Sequence, residues 1–132
     1  DVPGFIANRM QHALWREAIS IVENGIADAA TVDIAVKNSF GLRLAQLGPL
    51  ENADMAGLDL TWNIHNYVLK YLEDSHQPSR LLTDYKEKGN LGFKTGEGFY
   101  RWTPEEMQRV SADLNAYLFQ ANIRQNGKKD AE

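Results

Sequence analysis

Phe5-Ile6-Ala7-Asn8-Arg9-Met10-Gln11-His12-Ala13-Leu14-Trp15-Arg16-Glu17-Ala18-Ile19-Ser20-Ile21-Val22-Glu23 is the stretch on which the fold turns. Its large apolar residues, Phe5, Ile6, Met10, Leu14, Trp15, Ile19, Ile21 and Val22, recur at helical spacing and make a wide stripe. The spacing predicts a long helix over 5–23, ended by Asn24-Gly25. Ahead of it, Asp1-Val2-Pro3-Gly4 reads as an extended lead-in, because Pro3 biases Val2 away from helical geometry. The first methionine, Met10, falls inside the predicted helix and the chain starts at Asp1. The sequence therefore reads as a piece that follows a domain boundary at or just before Asp1.

Working downstream, Asp28 is placed to cap a helix carrying Val32, Ile34, Ala35 and Val36, with Gly41 as its stop. Gly48-Pro49 opens a short helix, since proline suits the first turn, and Gly57 closes it. Leu60, Ile64, Tyr67, Val68 and Tyr71 give helical spacing over 58–74. Ser79 caps a segment over 80–88. Gly89 to Gly98 holds four glycines in ten residues and reads as an irregular loop or tight turn. Thr103-Pro104-Glu105-Glu106 is a capping box opening a last helix through about Gln120, and 126–132 form a polar tail. No stretch alternates at period two, so the expected fold is all-α, with 1–125 as one helical domain.

Composition narrows the function. The chain has 132 residues, 43% of them hydrophobic, and a formal charge of −4, which argues against binding a nucleic-acid backbone. There is no cysteine, which excludes disulfides and thiolate chemistry and permits a cytoplasmic location. No apolar run reaches the roughly 18 residues of a membrane span. His12, His65 and His76 are scattered without metal-ligand spacing. Gly92-Phe93-Lys94-Thr95 fails as a P-loop because Phe93 intervenes. Gly96-Glu97-Gly98 lacks the third glycine of a dinucleotide fingerprint and follows no predicted strand. Lys86, Glu87 and Lys88 read as a solvated helix end, and Trp15 and Trp62 as core or interface aromatics.

Asn8 stands out, because asparagine costs helix stability unless it caps or bonds something specific. On residue type alone, a bond to nearby backbone and a functional contact are both open.

Val2-Pro3-Gly4-Phe5-Ile6-Ala7-Asn8-Arg9, Glu17-Ala18, Gly48-Pro49, Asp54, Gly57-Leu58-Asp59 and Lys94-Thr95-Gly96-Glu97-Gly98-Phe99-Tyr100 occur in this order. Together they resemble the C-terminal domain of the 3-hydroxyacyl-CoA dehydrogenase family over roughly 1–102. The resemblance implies an all-α, 6-phosphogluconate-dehydrogenase-like domain that follows a Rossmann NAD-binding domain, lines one wall of the active-site cleft and forms a homodimer. It implies hydride transfer between NAD, held by the preceding domain, and the 3-hydroxy carbon of the substrate. The acid/base histidine and its glutamate would also come from that domain. Asn8 would then face the cleft and hold the substrate oxygen or the histidine, and the chain alone would be inactive.

Phe40-Gly41-Leu42-Arg43-Leu44-Ala45-Gln46-Leu47 departs from the fatty-acyl type. Its Gly-x-Arg turn is similar to the branch containing gulonate dehydrogenase and lambda-crystallin, which implies a small hydroxy acid with a free carboxylate. Arg43 suits a carboxylate clamp, with Leu47 beside the substrate. Arg43 could instead cap a helix or pair with Glu51 or Asp54. Two other expectations stay open, a fatty-acyl-CoA substrate and a stand-alone helical dimerisation module without catalysis. Neither nucleic acid nor membrane is expected as a partner.

Overall fold

The computed structural model describes residues 2–129, with side chains over 5–127. It is helical, with α1 (Val2–Glu23), α2 (Ala29–Lys37), α3 (Phe40–Arg43), α4 (Pro49–Ala56) and α5 (Leu58–Val68). A 3-10 turn (Leu69–Tyr71), α6 (Arg80–Lys88) and α7 (Pro104–Lys129) follow. Among the described residues, extended pairing is limited to isolated bridges between Gly92 and Glu97 and between Glu97 and Arg101. The all-α expectation holds.

α1 begins at Val2, so the extended lead-in is not observed. Pro3 falls in the first turn, where its missing N–H would have had no intrahelical partner. At the other end, Gly25 adopts φ +68°. Its N–H donates to the Val22 carbonyl at 3.1 Å, and the Ile26 N–H to the Ile21 carbonyl at 3.0 Å. This paired closure satisfies the last carbonyls of the helix.

α2 starts as expected, with the Thr31 N–H donating to Asp28 Oδ1 at 2.7 Å. Hydrogen bonds from the Thr31 side chain and backbone hold the Asp28 carboxyl below its ordinary range. The cap therefore favours α2 at and above that range, and the gain is lost as the pH falls through the lowered value. Gly41 does not end α2. Asn38 Nδ2 donates to the Ile34 carbonyl at 2.9 Å and Ser39 Oγ to the Ala35 carbonyl at 2.6 Å, so polar side chains close the helix first. Gly41 lies inside α3 instead, where an added Cβ would stand 2.6 Å from the Val36 carbonyl oxygen. Glycine is needed there for close approach between consecutive elements.

α4 opens at Gly48-Pro49, with the Gly48 N–H donating to Glu51 Oε2 at 2.7 Å. It closes at Gly57, whose φ is +104°. α5 stops at Val68 rather than near Asp74. The cause is tertiary. The Glu73 N–H donates to Glu17 Oε2 at 2.7 Å, so the helix yields to a bond with α1.

The chain divides into two compact units, 1–84 and 85–132, with the boundary inside α6. In the first, α1 and α3 both pack on α2, and α4 packs on α5. Polar ties join α1 to the segment after the 3-10 turn. Besides the Glu17 bond, the Leu81 N–H donates to Glu23 Oε1 at 3.2 Å and Arg16 Nη1 to the Ser75 carbonyl at 3.3 Å. Ser79 Oγ accepts the Leu82 N–H at 3.1 Å, as the expected cap of α6.

The second unit opens with a glycine-rich knot. Gly92 N–H meets the Glu97 carbonyl, Gly98 N–H the Tyr100 carbonyl and Trp102 N–H the Gly96 carbonyl, each at 2.8 Å. Trp102 stacks edge-on to Phe93 and Tyr100, with centroids 4.8 and 5.6 Å away. The capping box is formed, with Thr103 N–H donating to Glu106 Oε2 at 2.8 Å and Glu106 N–H to Thr103 Oγ1 at 3.2 Å. α7 then runs past Gln120 to Lys129. No proline interrupts it.

Among the described residues none is buried. Trp15 keeps 49% of its surface and Trp62 keeps 67%. A chain of this size and apolar content has the means to bury a core. Large apolar side chains of α1, α5 and α7 stay exposed, while Ile19, Ile21 and Val22 of α1 are half-buried.

Candidate functional site

Asn8 sits in the second turn of α1, not the first, because the helix starts at Val2. It is exposed, and its amide makes no hydrogen bond among the described residues. The local backbone bond that would have explained it is not formed. An asparagine inside a helix, bonded to nothing nearby, offers one donor pair and one acceptor to whatever covers it. On either side of it along the chain, Phe5, Ile6, Met10 and Leu14 are also uncovered. At about 100° per residue, α1 carries one apolar stripe through Phe5, Trp15, Ile19 and Val22 and another, roughly opposite, through Ile6, Met10, Leu14 and Ile21. A helix apolar on two sides is built to be enclosed.

Arg43 ends α3 and is exposed. Its carbonyl accepts the Gln46 N–H at 2.9 Å and the Leu47 N–H at 2.8 Å, which winds the chain into the approach to Gly48-Pro49. The ion pair found among the described residues joins Arg101 to Glu97 at 3.6 Å, so Arg43 pairs with neither Glu51 nor Asp54. Glu51 is used by the α4 cap. The Gly-x-Arg segment is one short helical turn, with the guanidinium at its C-terminal end. Leu47 is half-buried. The structure thus joins Arg43 to Leu47 through the backbone. It shows no direct contact of Asn8 with either, and α2 packs against both of their helices.

A groove of about 470 Å³ also opens along the C-terminal half of α1, lined in part by His12, Arg16, Glu23, Glu73, His76 and Arg80. It excludes all three expected site residues. Glu23 Oε1 accepts the Leu81 N–H at 3.2 Å and Glu73 Oε1 the Ser75 N–H at 2.7 Å, so its carboxylates hold backbone of the segment that leads into α6. Sequence reading missed this role for Glu73 and Glu23. The signal was Glu17, Ser20 and Glu23 at every third position, a polar edge on an apolar helix. Among the described residues no cluster of His, Asp and Glu could hold a metal ion.

Residues 4–102 match the family described as 3-hydroxyacyl-CoA dehydrogenase, C-terminal domain. The chain belongs to this family. It is 34% identical over 113 residues to 5-formyl-3-hydroxy-2-methylpyridine 4-carboxylate 5-dehydrogenase of Mesorhizobium japonicum, covering 86% of this chain and 37% of that protein. It is 38% identical over 103 residues to a probable 3-hydroxybutyryl-CoA dehydrogenase of Deinococcus radiodurans, covering 77% and 36%. Human mitochondrial hydroxyacyl-coenzyme A dehydrogenase is 38% identical over 104 residues, covering 77% and 32%. The chain thus spans about a third of the length of these relatives. A crystal structure of 5-formyl-3-hydroxy-2-methylpyridine 4-carboxylic acid 5-dehydrogenase, described as an NAD+-dependent dismutase, superposes with a TM-score of 0.85 at 30% identity. That superposition covers 92% of this chain and 39% of the other.

Within this 3-hydroxyacyl-CoA dehydrogenase C-terminal domain, the glycine-rich knot has no open dinucleotide cradle. The N–H groups of Gly92, Gly98 and Trp102 are committed to carbonyls of the knot itself, whereas a pyrophosphate needs such groups free at a strand-to-helix turn. No helix among the described residues is long and apolar enough to cross a membrane.

Proposed function

We propose that this domain forms the substrate wall and the homodimer contact of an NAD-dependent dehydrogenase acting on a small hydroxy-carboxylate, with NAD held by a preceding Rossmann domain. The observation that carries it is Asn8, an uncovered and unbonded amide on the helix that bears the family's Pro-Gly-Phe-Ile-x-Asn-Arg signature. NAD supplies the hydride acceptor when bound. Asn8 holds the oxygen on the reacting carbon, or the histidine that takes its proton, by hydrogen bonds. An amide does not titrate near neutral pH, so Asn8 positions and stabilises without exchanging a proton. Arg43, unpaired by any carboxylate in its neighbourhood, clamps the substrate carboxylate with two parallel hydrogen bonds, and Leu47 lies beside it. The Mesorhizobium relative is named for a carboxylate substrate, which supports this substrate class. The uncovered faces of α1 support association with a second copy, since large apolar patches mark interfaces and two-fold dimers are the commonest closed solution.

A second reading, a fatty-acyl-CoA substrate, is favoured by the names of the Deinococcus and human relatives. The test is an assay of the full-length protein with NAD on a panel of small 3-hydroxy carboxylates and 3-hydroxyacyl-CoA thioesters. Higher kcat/KM for the carboxylates is expected. Turnover confined to the thioesters would install the second reading, and no NAD-linked turnover would leave a dimerisation module.

A further inference from the structure

α2 and α3 meet at a corner without slack. Asn38 and Ser39 alone connect Lys37, the last residue of α2, to Phe40, the first of α3. Both are tied down. The Asn38 amide and the Ser39 hydroxyl donate to the Ile34 and Ala35 carbonyls. The Ser39 N–H donates to the Val36 carbonyl at 3.3 Å, and the Leu42 N–H to the Ser39 carbonyl at 3.2 Å. The turn of α3 therefore backs directly onto the end of α2. A Cβ at position 41 would stand 2.6 Å from the Val36 carbonyl oxygen and 3.1 Å from Val36 Cγ1. That oxygen is backbone and cannot swing aside as the tip of a long side chain can, so any side chain at 41 displaces α3. Arg43 follows two residues on, and its carbonyl holds the Gln46 and Leu47 N–H groups. A displaced α3 carries both Arg43 and Leu47 with it.

We propose that Gly41 is the positioning residue for the Arg43 fork. By lacking a Cβ it seats α3 on α2 and so fixes where the guanidinium meets the substrate carboxylate. This rests on the reading of Arg43 as the carboxylate clamp and names the residue that sets its place. Relieving the contact takes a shift of about half an ångström, the tolerance within which a binding constellation has to be held. A planar fork making two parallel bonds is sensitive to such a shift. Asn8 is spared, because among the described residues α1 packs on α2 and not on α3. Gly41 therefore governs substrate binding and leaves turnover alone.

The test is a double-mutant cycle on the full-length protein with NAD, read as kcat and KM for 3-hydroxy carboxylates and for 3-hydroxyacyl-CoA thioesters. Gly41→Ala should raise the carboxylate KM about fivefold, with kcat and the thioester kinetics unchanged. In the Arg43→Met background no fork is left to misplace, so Gly41→Ala should add nothing. A merely structural glycine would act alike on both substrate classes and in both backgrounds. A second variant, Asn38→Gly with Ser39→Gly, frees the corner without adding bulk and carries the test if Gly41→Ala fails to fold. It should raise the same KM about threefold, again only while Arg43 is present. If Arg43→Met raises the carboxylate KM but the corner variants do not, or raise it equally in the Arg43→Met background, the positioning role is overturned and the clamp stands. Arg43→Met without effect on the carboxylates overturns both.

Discussion

Asn8→Ala in the full-length protein is expected to lower kcat by about a hundredfold while leaving the fold at least as stable. Losing one hydrogen-bond donor aimed at a developing charge typically costs on the order of 3 kcal/mol in the transition state. The stability side is unusually clean. Asn8 is exposed and makes no hydrogen bond among the described residues, so nothing in the domain loses a partner. Alanine is the better helix former by up to about 0.7 kcal/mol, so the thermal midpoint should hold or rise. If Asn8 holds the substrate oxygen the pH–rate profile should keep its shape, because an amide contributes no titration, whereas a shifted profile would mark a bond to the histidine. Near-normal kcat in the Asn8→Ala protein would reduce Asn8 to a bystander on α1.

Asn8 also shows where sequence reading succeeds and where it stops. The helix around it follows from side-chain spacing, and the caps at Asp28, Ser79 and Thr103-Glu106 follow from local chemistry. All were legible because each depends on residues within a turn of one another. α5 was read too long because its end is set by Glu17, more than fifty residues away, taking the Glu73 N–H. Gly41 was read as a stop when its real task is the close approach to Val36, a contact invisible to spacing. α7 was read too short because a run without proline or strong apolar rhythm gives no sign of where it ends. For the site, residue type singled out Asn8 and Arg43. Only the fold showed that neither has a local partner to explain it away. What brings the two to one substrate lies outside spacing altogether, since it depends on whatever covers α1 and α3.

Arg43→Met should raise KM for hydroxy-carboxylate substrates at least tenfold, about 1.4 kcal/mol, with little effect on any acyl-CoA turnover. Methionine keeps much of the aliphatic bulk and deletes the fork, so packing losses are small. Arg43 is exposed and forms no ion pair among the described residues, so its removal leaves no carboxylate of the domain unpaired. A thioester near the reacting carbon is neutral and makes no demand on a guanidinium there. Unchanged carboxylate kinetics in a folded Arg43→Met protein would move the acyl-CoA substrate into first place.

Both substitutions act on faces that this chain builds and leaves uncovered, and the same feature governs its stability. None of the described side chains is fully buried, so covering the exposed apolar residues of α1, α5 and α7 with a second surface would add to the hydrophobic gain that offsets chain entropy. The most direct measurement is the thermal unfolding midpoint of the 132-residue chain, followed by far-ultraviolet circular dichroism over a hundredfold or wider range of protein concentration. If folding is linked to association of two copies, the midpoint rises steadily with concentration. A cooperative transition whose midpoint does not move, in a sample that sediments as a monomer, would contradict it.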